Sequence, residues 1–217
     1  MAPLRSVAGA PGPRPVEDRL LAALRWWLSF LFAGSPREVF RSVPVRPALL
    51  FGDGACEATY DGIGAVLFDD ALPLCEAFGC EVPRDVAGVL RNATGNEQII
   101  GQLEILPFVV ALRVWRSVLR PAGRRVVIFV DNDAARYAMI KGYSPSPVSR
   151  ALVSELWSLI TDLQLTVWFE RVPSAGNPAD AAIRLDLAAL RALTPQPRVV
   201  HATLSGQAVG QVLAKWG

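Results

Sequence analysis

Between Ala48 and Leu193 the chain reads as three short strand-like runs in succession, then helix, strand, helix, strand, helix, and this order restricts the fold more than any other property. The three runs, Ala48–Gly52, Gly62–Phe68 and Leu74–Cys80, are parted by turn residues such as Asp61-Gly62 and Asp69-Asp70, the pattern of an antiparallel meander. A helical stretch from Glu97 to Leu119 stops at Pro121 and Gly123, and the apolar run Arg125–Val130 (RVVIFV) follows as a strand. Ala134–Ile140 and Val148–Leu163 are predicted helices, Leu165–Arg171 a strand and Pro178–Leu193 a last helix. The order βββαβαβα predicts an α/β fold over residues 46–194, a five-stranded mixed sheet with helices packed on its faces.

The flanks differ in kind. Residues 1–15 are rich in Pro, Gly and Ala without periodicity and predict a flexible arm; with the helix expected from Val16 to Phe32 they form an N-terminal part, 1–45, set off by Pro44 and Pro47. Residues 195–217 form a C-terminal extension with a possible strand at Val199–Leu204 and a weak helix, and no role is assigned to them. The apolar run Leu20–Ala33 contains Arg25 and is shorter than the roughly 20 residues of a membrane span, so a core or docking helix is expected there. Glu17 and Asp18 stand where a secretory signal would be basic, and an intracellular site, cytoplasm or nucleus, is expected.

Composition excludes several functions. Cys56, Cys75 and Cys80 form no CxxC pair and His201 is the one histidine, which argues against a disulfide framework or a zinc site. A formal charge of +2 over 217 residues is too small to mark a general nucleic-acid binder, so any phosphate contacts must be local.

Four acids stand out. Asp53 ends the first strand between two glycines that allow close approach, and Asp131 ends the strand VVIFV in the same way. Two carboxylates delivered by apolar strands repel one another unless a cation neutralises them, and Mg²⁺ is a hard, oxygen-seeking candidate. Asp180 falls at the third position of a helix capped by Asn177 and begun by Pro178; taken alone, it is equally accounted for as a charge at the helix N-terminus. Glu104 lies in the apolar helix IIGQLEILPFVVAL, where a single glutamate is by itself more often at a solvent border. Asp133 competes with Asp131, but the alanines after Asn132 suggest a helix start that suits Asp133 as an N-terminal charge.

In order, type and context these four acids resemble the ribonuclease H superfamily over roughly Val45 to Leu193. The matching segments are Asp53-Gly54-Ala55, Leu103-Glu104-Ile105-Leu106, Val130-Asp131-Asn132 and Asn177-Pro178-Ala179-Asp180, with Gly62-x-Gly64-Ala65-Val66 similar to the family's second strand. More narrowly, VDN, VPSAGNPAD followed by Arg184, and the Trp26-Trp27 helix resemble the ribonuclease H region of reverse transcriptases from tyrosine-recombinase retrotransposons. That resemblance would make the N-terminal helix a remnant of the polymerase part, itself a possible partner; no polymerase motif is present.

The resemblance implies hydrolysis of the RNA strand of an RNA/DNA hybrid, with Asp53, Glu104, Asp131 and Asp180 holding two Mg²⁺ ions, for which Mn²⁺ substitutes. It sets against this a non-catalytic module of the same fold that binds nucleic acid or protein, although retention of all four acids argues against decay. Two departures stand out: Ile100 and Gly101 occupy positions where cellular members place hybrid-contacting Asn, and the loop Val172–Asn177 lacks the family's histidine. Arg136, Lys141, Arg150 and Arg184 are the candidate contacts to the hybrid, whereas Arg113, Arg116 and Arg120 read as a solvated stripe. Trp115, Trp157 and Trp168 read as packing residues, and His201 as uninvolved.

Overall fold

The computed structural model describes residues 18–33, 46–70, 74–120, 124–193 and 195–216. Residues 1–17 and 34–45, covering the predicted arm and the Pro44 linker, lie outside the described residues, as do Pro121 and Gly123. The chain divides into two compact units, Met1–Glu38 and Val39–Gly217. In the first, helix α1 (Asp18–Ala33) exposes Leu21, Leu24, Leu28, Leu31 and Phe32 along one side. Of the Trp26-Trp27 pair, Trp27 is half-buried and the side chain of Trp26 is outside the description.

The second unit is the expected α/β layer structure. Strands β1 (Ala48–Cys56), β2 (Asp61–Asp69) and β3 (Leu74–Glu81) form the antiparallel meander. Helices α2 (Arg84–Thr94), α3 (Ile100–Leu103), α4 (Leu106–Val114) and α5 (Arg116–Leu119) lead to β4 (Arg125–Val130), which pairs parallel with β1. Next come α6 (Asp133–Lys141), α7 (Pro147–Asp162), β5 (Thr166–Arg171), α8 (Pro178–Ile183), α9 (Leu187–Ala192), β6 (Arg198–Val199) and α10 (Gly206–Trp216). The sheet has six strands in the order β5-β4-β1-β2-β3-β6. The sixth, absent from the five expected, is the two-residue β6, which joins the β3 edge through Glu76↔Arg198 and Ala77↔Val199.

The single helix expected from Glu97 to Leu119 is instead three short pieces, and α2 before them was not foreseen. Gly95, in the left-handed region at φ 68°, caps and ends α2. Pro107 breaks the next stretch, because it has no N–H for the carbonyl of Leu103 four residues back. The chain there takes tighter bonds, Ile105 N–H to Gln102 at 3.1 Å and Phe108 N–H to Ile105 at 3.2 Å, which leaves Glu104 in the bend between α3 and α4.

The larger core lies between one sheet face and α2 to α7, with Phe78, Phe108, Trp115 and Leu156 fully buried. A smaller one, Val66, Cys75, Ala77, Ala182 and Leu190, lies under α8 and α9 on the opposite face. Residues of the C-terminal extension take part: Val209 and Val212 of α10 are buried in the larger core against α2 and α7. The arginine stripe is exposed, as expected, and within it Arg113 pairs with Glu155 at 2.8 Å and Arg116 with Asp162, tying α4 and α5 to α7.

Trp168 is a correction. It is 66 % exposed, on the edge strand β5 and on the face where α8 covers β1, β2 and β3. A strand hides only the residues whose face meets a neighbour, and here Phe169 is the buried one, packed 5.9 Å from Trp157.

Candidate metal and catalytic site

Strand register brings the first two acids together. Pairing of β1 with β4 ends at Phe51↔Phe129, whose rings stack at 4.5 Å. Asp53 and Asp131 each follow two residues later, so the two-residue period of a strand carries both carboxylates to the side of these phenylalanines. This is the α8 side: Asp53 faces Gly64 of β2, against which the backbone of Ala179 and Ile183 presses.

Glu104 arrives from the other side. A Cβ at Gly54 would collide with the Leu103 carbonyl, the same carbonyl that Pro107 leaves without a helical donor. Glycine in β1 and proline in α4 together let the α3–α4 bend lie against the strand one residue from Asp53. One carboxylate oxygen from each of Asp53, Glu104 and Asp131 lies within 4.8 Å of the others.

This cluster is buried and electrostatically unfavourable as it stands. Asp53 is 9 % and Glu104 7 % exposed. Burial, then the charge of Asp131, lifts the Asp53 carboxyl from 3.8 to about 7, against a hydrogen bond from the Gly54 N–H; Asp180 adds a smaller push. Burial, then Asp53 and Asp131, lifts Glu104 from 4.5 to about 8, opposed by a hydrogen bond with Asn132. Glu104 Oε2 and Asp131 Oδ1 are buried without a hydrogen-bond partner among the described residues. Buried acceptor atoms are ordinarily satisfied, and two orphaned carboxylate oxygens in one acidic cluster are the donor set that a hard cation takes.

Asp180 stands apart from the three. It is exposed at the first turn of α8 and bonded to Arg184 Nε at 3.2 Å, one helical turn on, while Arg184 also pairs with Glu57 at 3.5 Å. Asp133 starts α6, exposed and held by Arg136 at 3.0 Å and Arg171 at 3.5 Å. Among the basic candidates, Arg136 and Lys141 both lie over the Tyr137 ring, at 4.7 and 5.7 Å, and Arg150 is half-buried near the start of α7. His201 is exposed in the segment before α10.

Two asparagines do more than the sequence showed. Asn132 caps α6 by accepting the Ala135 N–H at 3.0 Å and also bonds Glu104. Asn177 caps α8 by accepting the Ala179 N–H at 3.2 Å and donates Nδ2 to the Gly52 carbonyl at 3.4 Å. Their capping roles are legible from local order; the second bond of each crosses between elements and has no local signal.

No protein-family model and no curated protein matches the chain. Among solved structures it is similar to LC11-RNase H1, isolated from compost by metagenomics, at 15 % identity and TM-score 0.50, over 64 % of this chain and 94 % of that one. It also matches RNase H1 from Halobacterium salinarum NRC-1 at 17 % identity and TM-score 0.48, over 65 % and 98 % of the two chains. The fold of the second unit is thus RNase H-like, with a mixed sheet and helices on both faces.

Proposed function

We propose that this chain is a divalent-cation-dependent endoribonuclease that cuts the RNA strand of RNA/DNA hybrids, and that it derives from the ribonuclease H part of a retroelement reverse transcriptase. The observation that carries the reading is the meeting of Asp53, Glu104 and Asp131 within 4.8 Å, with two buried oxygens left unpartnered. The substrate class and reaction are those implied by the resemblance of the four acidic motifs, and the RNase H-like fold shared with LC11-RNase H1 supports that reading.

Asp53, Glu104 and Asp131 would hold one Mg²⁺ ion, and Asp53 with Asp180 a second. Bound there, such ions would activate the attacking water and stabilise the leaving oxygen. The chain's own part is to hold Asp53, Glu104 and Asp131 together in a buried cluster; because burial and mutual repulsion raise the Asp53 and Glu104 carboxyls, a bound cation would be what keeps them ionised. Arg136 and Lys141 over Tyr137, with Arg150 and Arg184, would contact the hybrid's phosphates; this local basic set is compatible with a net charge of only +2.

The test is incubation of the full chain with a labelled RNA/DNA hybrid in Mg²⁺ or EDTA, beside Asp53→Asn. Metal-dependent RNA cleavage that the substitution lowers at least about 1,000-fold is expected, equivalent to about 4 kcal/mol. Tight hybrid binding without cutting in any metal would replace this reading with that of a non-catalytic binding module.

A further inference from the structure

We infer that Asn177 is a positioning residue that fixes Asp180 against Asp53, an inference that rests on the cation-dependent reading above. Helix α8 has only six residues, too few to hold its own course by internal bonds. It is seated instead by the sheet. At its N-terminus Asn177, 5 % exposed, accepts the Ala179 N–H and reaches across to donate to the carbonyl of Gly52, the residue preceding Asp53. At its far end the hydroxyl of Tyr60, in the β1–β2 turn, donates to the Ile183 carbonyl at 2.6 Å. Between these pins, Gly64 and Gly79 leave no room for a Cβ beneath the α8 backbone, so helix and sheet meet main chain to main chain.

Asp180 is three residues into α8, and its own carboxylate is exposed. That carboxylate is held by Arg184 one turn on, so its place relative to Asp53 follows from how α8 is seated, and of the seats the Asn177 amide, bonded to the strand of Asp53 and to α8, is the nearest in the chain. A serine at 177 keeps an oxygen able to cap Ala179 but is too short to reach Gly52. Asn177→Ser therefore separates capping from positioning.

The experiment measures Mn²⁺ binding to the full chain by calorimetry, and hybrid cleavage as a function of Mg²⁺, for wild type, Asn177→Ser, Asp180→Asn and Tyr60→Phe. Asn177→Ser should match Asp180→Asn. Both should weaken Mn²⁺ binding at least about 5-fold and lower kcat about 10-fold or more, leaving KM for the hybrid within about 2-fold. Tyr60→Phe, at the other pin, should do less than Asn177→Ser. If Asn177→Ser binds Mn²⁺ and cuts like wild type while Asp180→Asn does not, the positioning role is overturned and the nuclease reading stands. If wild type binds Mn²⁺ but does not cut, the nuclease reading falls, and the Mn²⁺ series alone decides for or against positioning. A wild-type chain that binds no cation overturns both.

Discussion

Two groups of buried carboxylates sit on the same framework and are treated in opposite ways. Glu155 on α7 receives Arg113 at 2.8 Å, Lys215 at 3.1 Å and the Trp216 indole at 2.9 Å. Burial alone would raise its pKa, but the donors from Trp216, Arg113 and Lys215 outweigh it and hold the carboxyl below its usual range. Glu76 on β3 is likewise met by the Trp115 indole at 2.8 Å and by Arg198. Among the described residues no basic side chain pairs with Asp53, Glu104 or Asp131, and burial and mutual repulsion drive Asp53 and Glu104 upward. The same chain meets Glu155 and Glu76 with its own donors and leaves this acidic cluster without them, as the proposed cation site requires. That contrast separates a site from a brace.

The strongest way to break the contrast is Asp53→Asn. Cleavage should fall at least about 1,000-fold, yet the metal-free variant should melt above wild type at pH 8, since a buried repelling charge has been removed. Lower stability in that variant would show that Asp53 is a structural acid after all.

Acidity gives the next largest effect. With pKa values of about 7 and 8 when folded against 3.8 and 4.5 ordinarily, Asp53 and Glu104 bind more protons in the folded chain than in the unfolded one between about pH 4 and 8. Stability of the metal-free chain should therefore fall as pH rises through that window and level off above it. Thermal melts should show a Tm lower by about 5 °C or more at pH 8.5 than at pH 5. Adding Mn²⁺ at about 100 times its Kd should restore roughly 2.7 kcal/mol at the high pH and far less at pH 5, where protons compete.

At the brace the signs reverse. Glu155→Gln should cost about 2 kcal/mol, less than a fully enclosed pair would, because Arg113 and Lys215 can turn to water. Urea denaturation checks this, and kcat per folded molecule should stay within about 2-fold of wild type. Smallest of all, Trp216→Phe removes one indole bond to Glu155 and should cost about 1 kcal/mol in the same assay, again without changing cleavage.

The apolar runs that deliver Asp53 and Asp131 were legible because such segments are rare and local, but β1 does not end at Asp53 as expected: it continues to Cys56, paired with β2. Also legible was the cap that begins α8, where Asn177 and Pro178 act within a single turn. The break at Glu104 was not, although Pro107 was in view: a proline near the start of a helix and one that divides a helix look alike in sequence. Nor was the outward side of Trp168, which depends on which strands α8 covers. The packing of α10 into the core, and its pairing to Glu155 some 60 residues away in sequence, are contacts to which no local pattern points.

Because Asp53 and Asp131 are both placed by counting two residues from the Phe51↔Phe129 rung, the cluster tolerates changes of composition far better than changes of length. An apolar exchange at Leu50 or Ile128 alters packing locally, whereas one residue inserted after Phe51 or Phe129 turns a carboxylate to the opposite side of the sheet. Among natural or engineered variants of this chain, insertions and deletions just after Phe51 or Phe129 should thus be far rarer in active proteins than substitutions beside them.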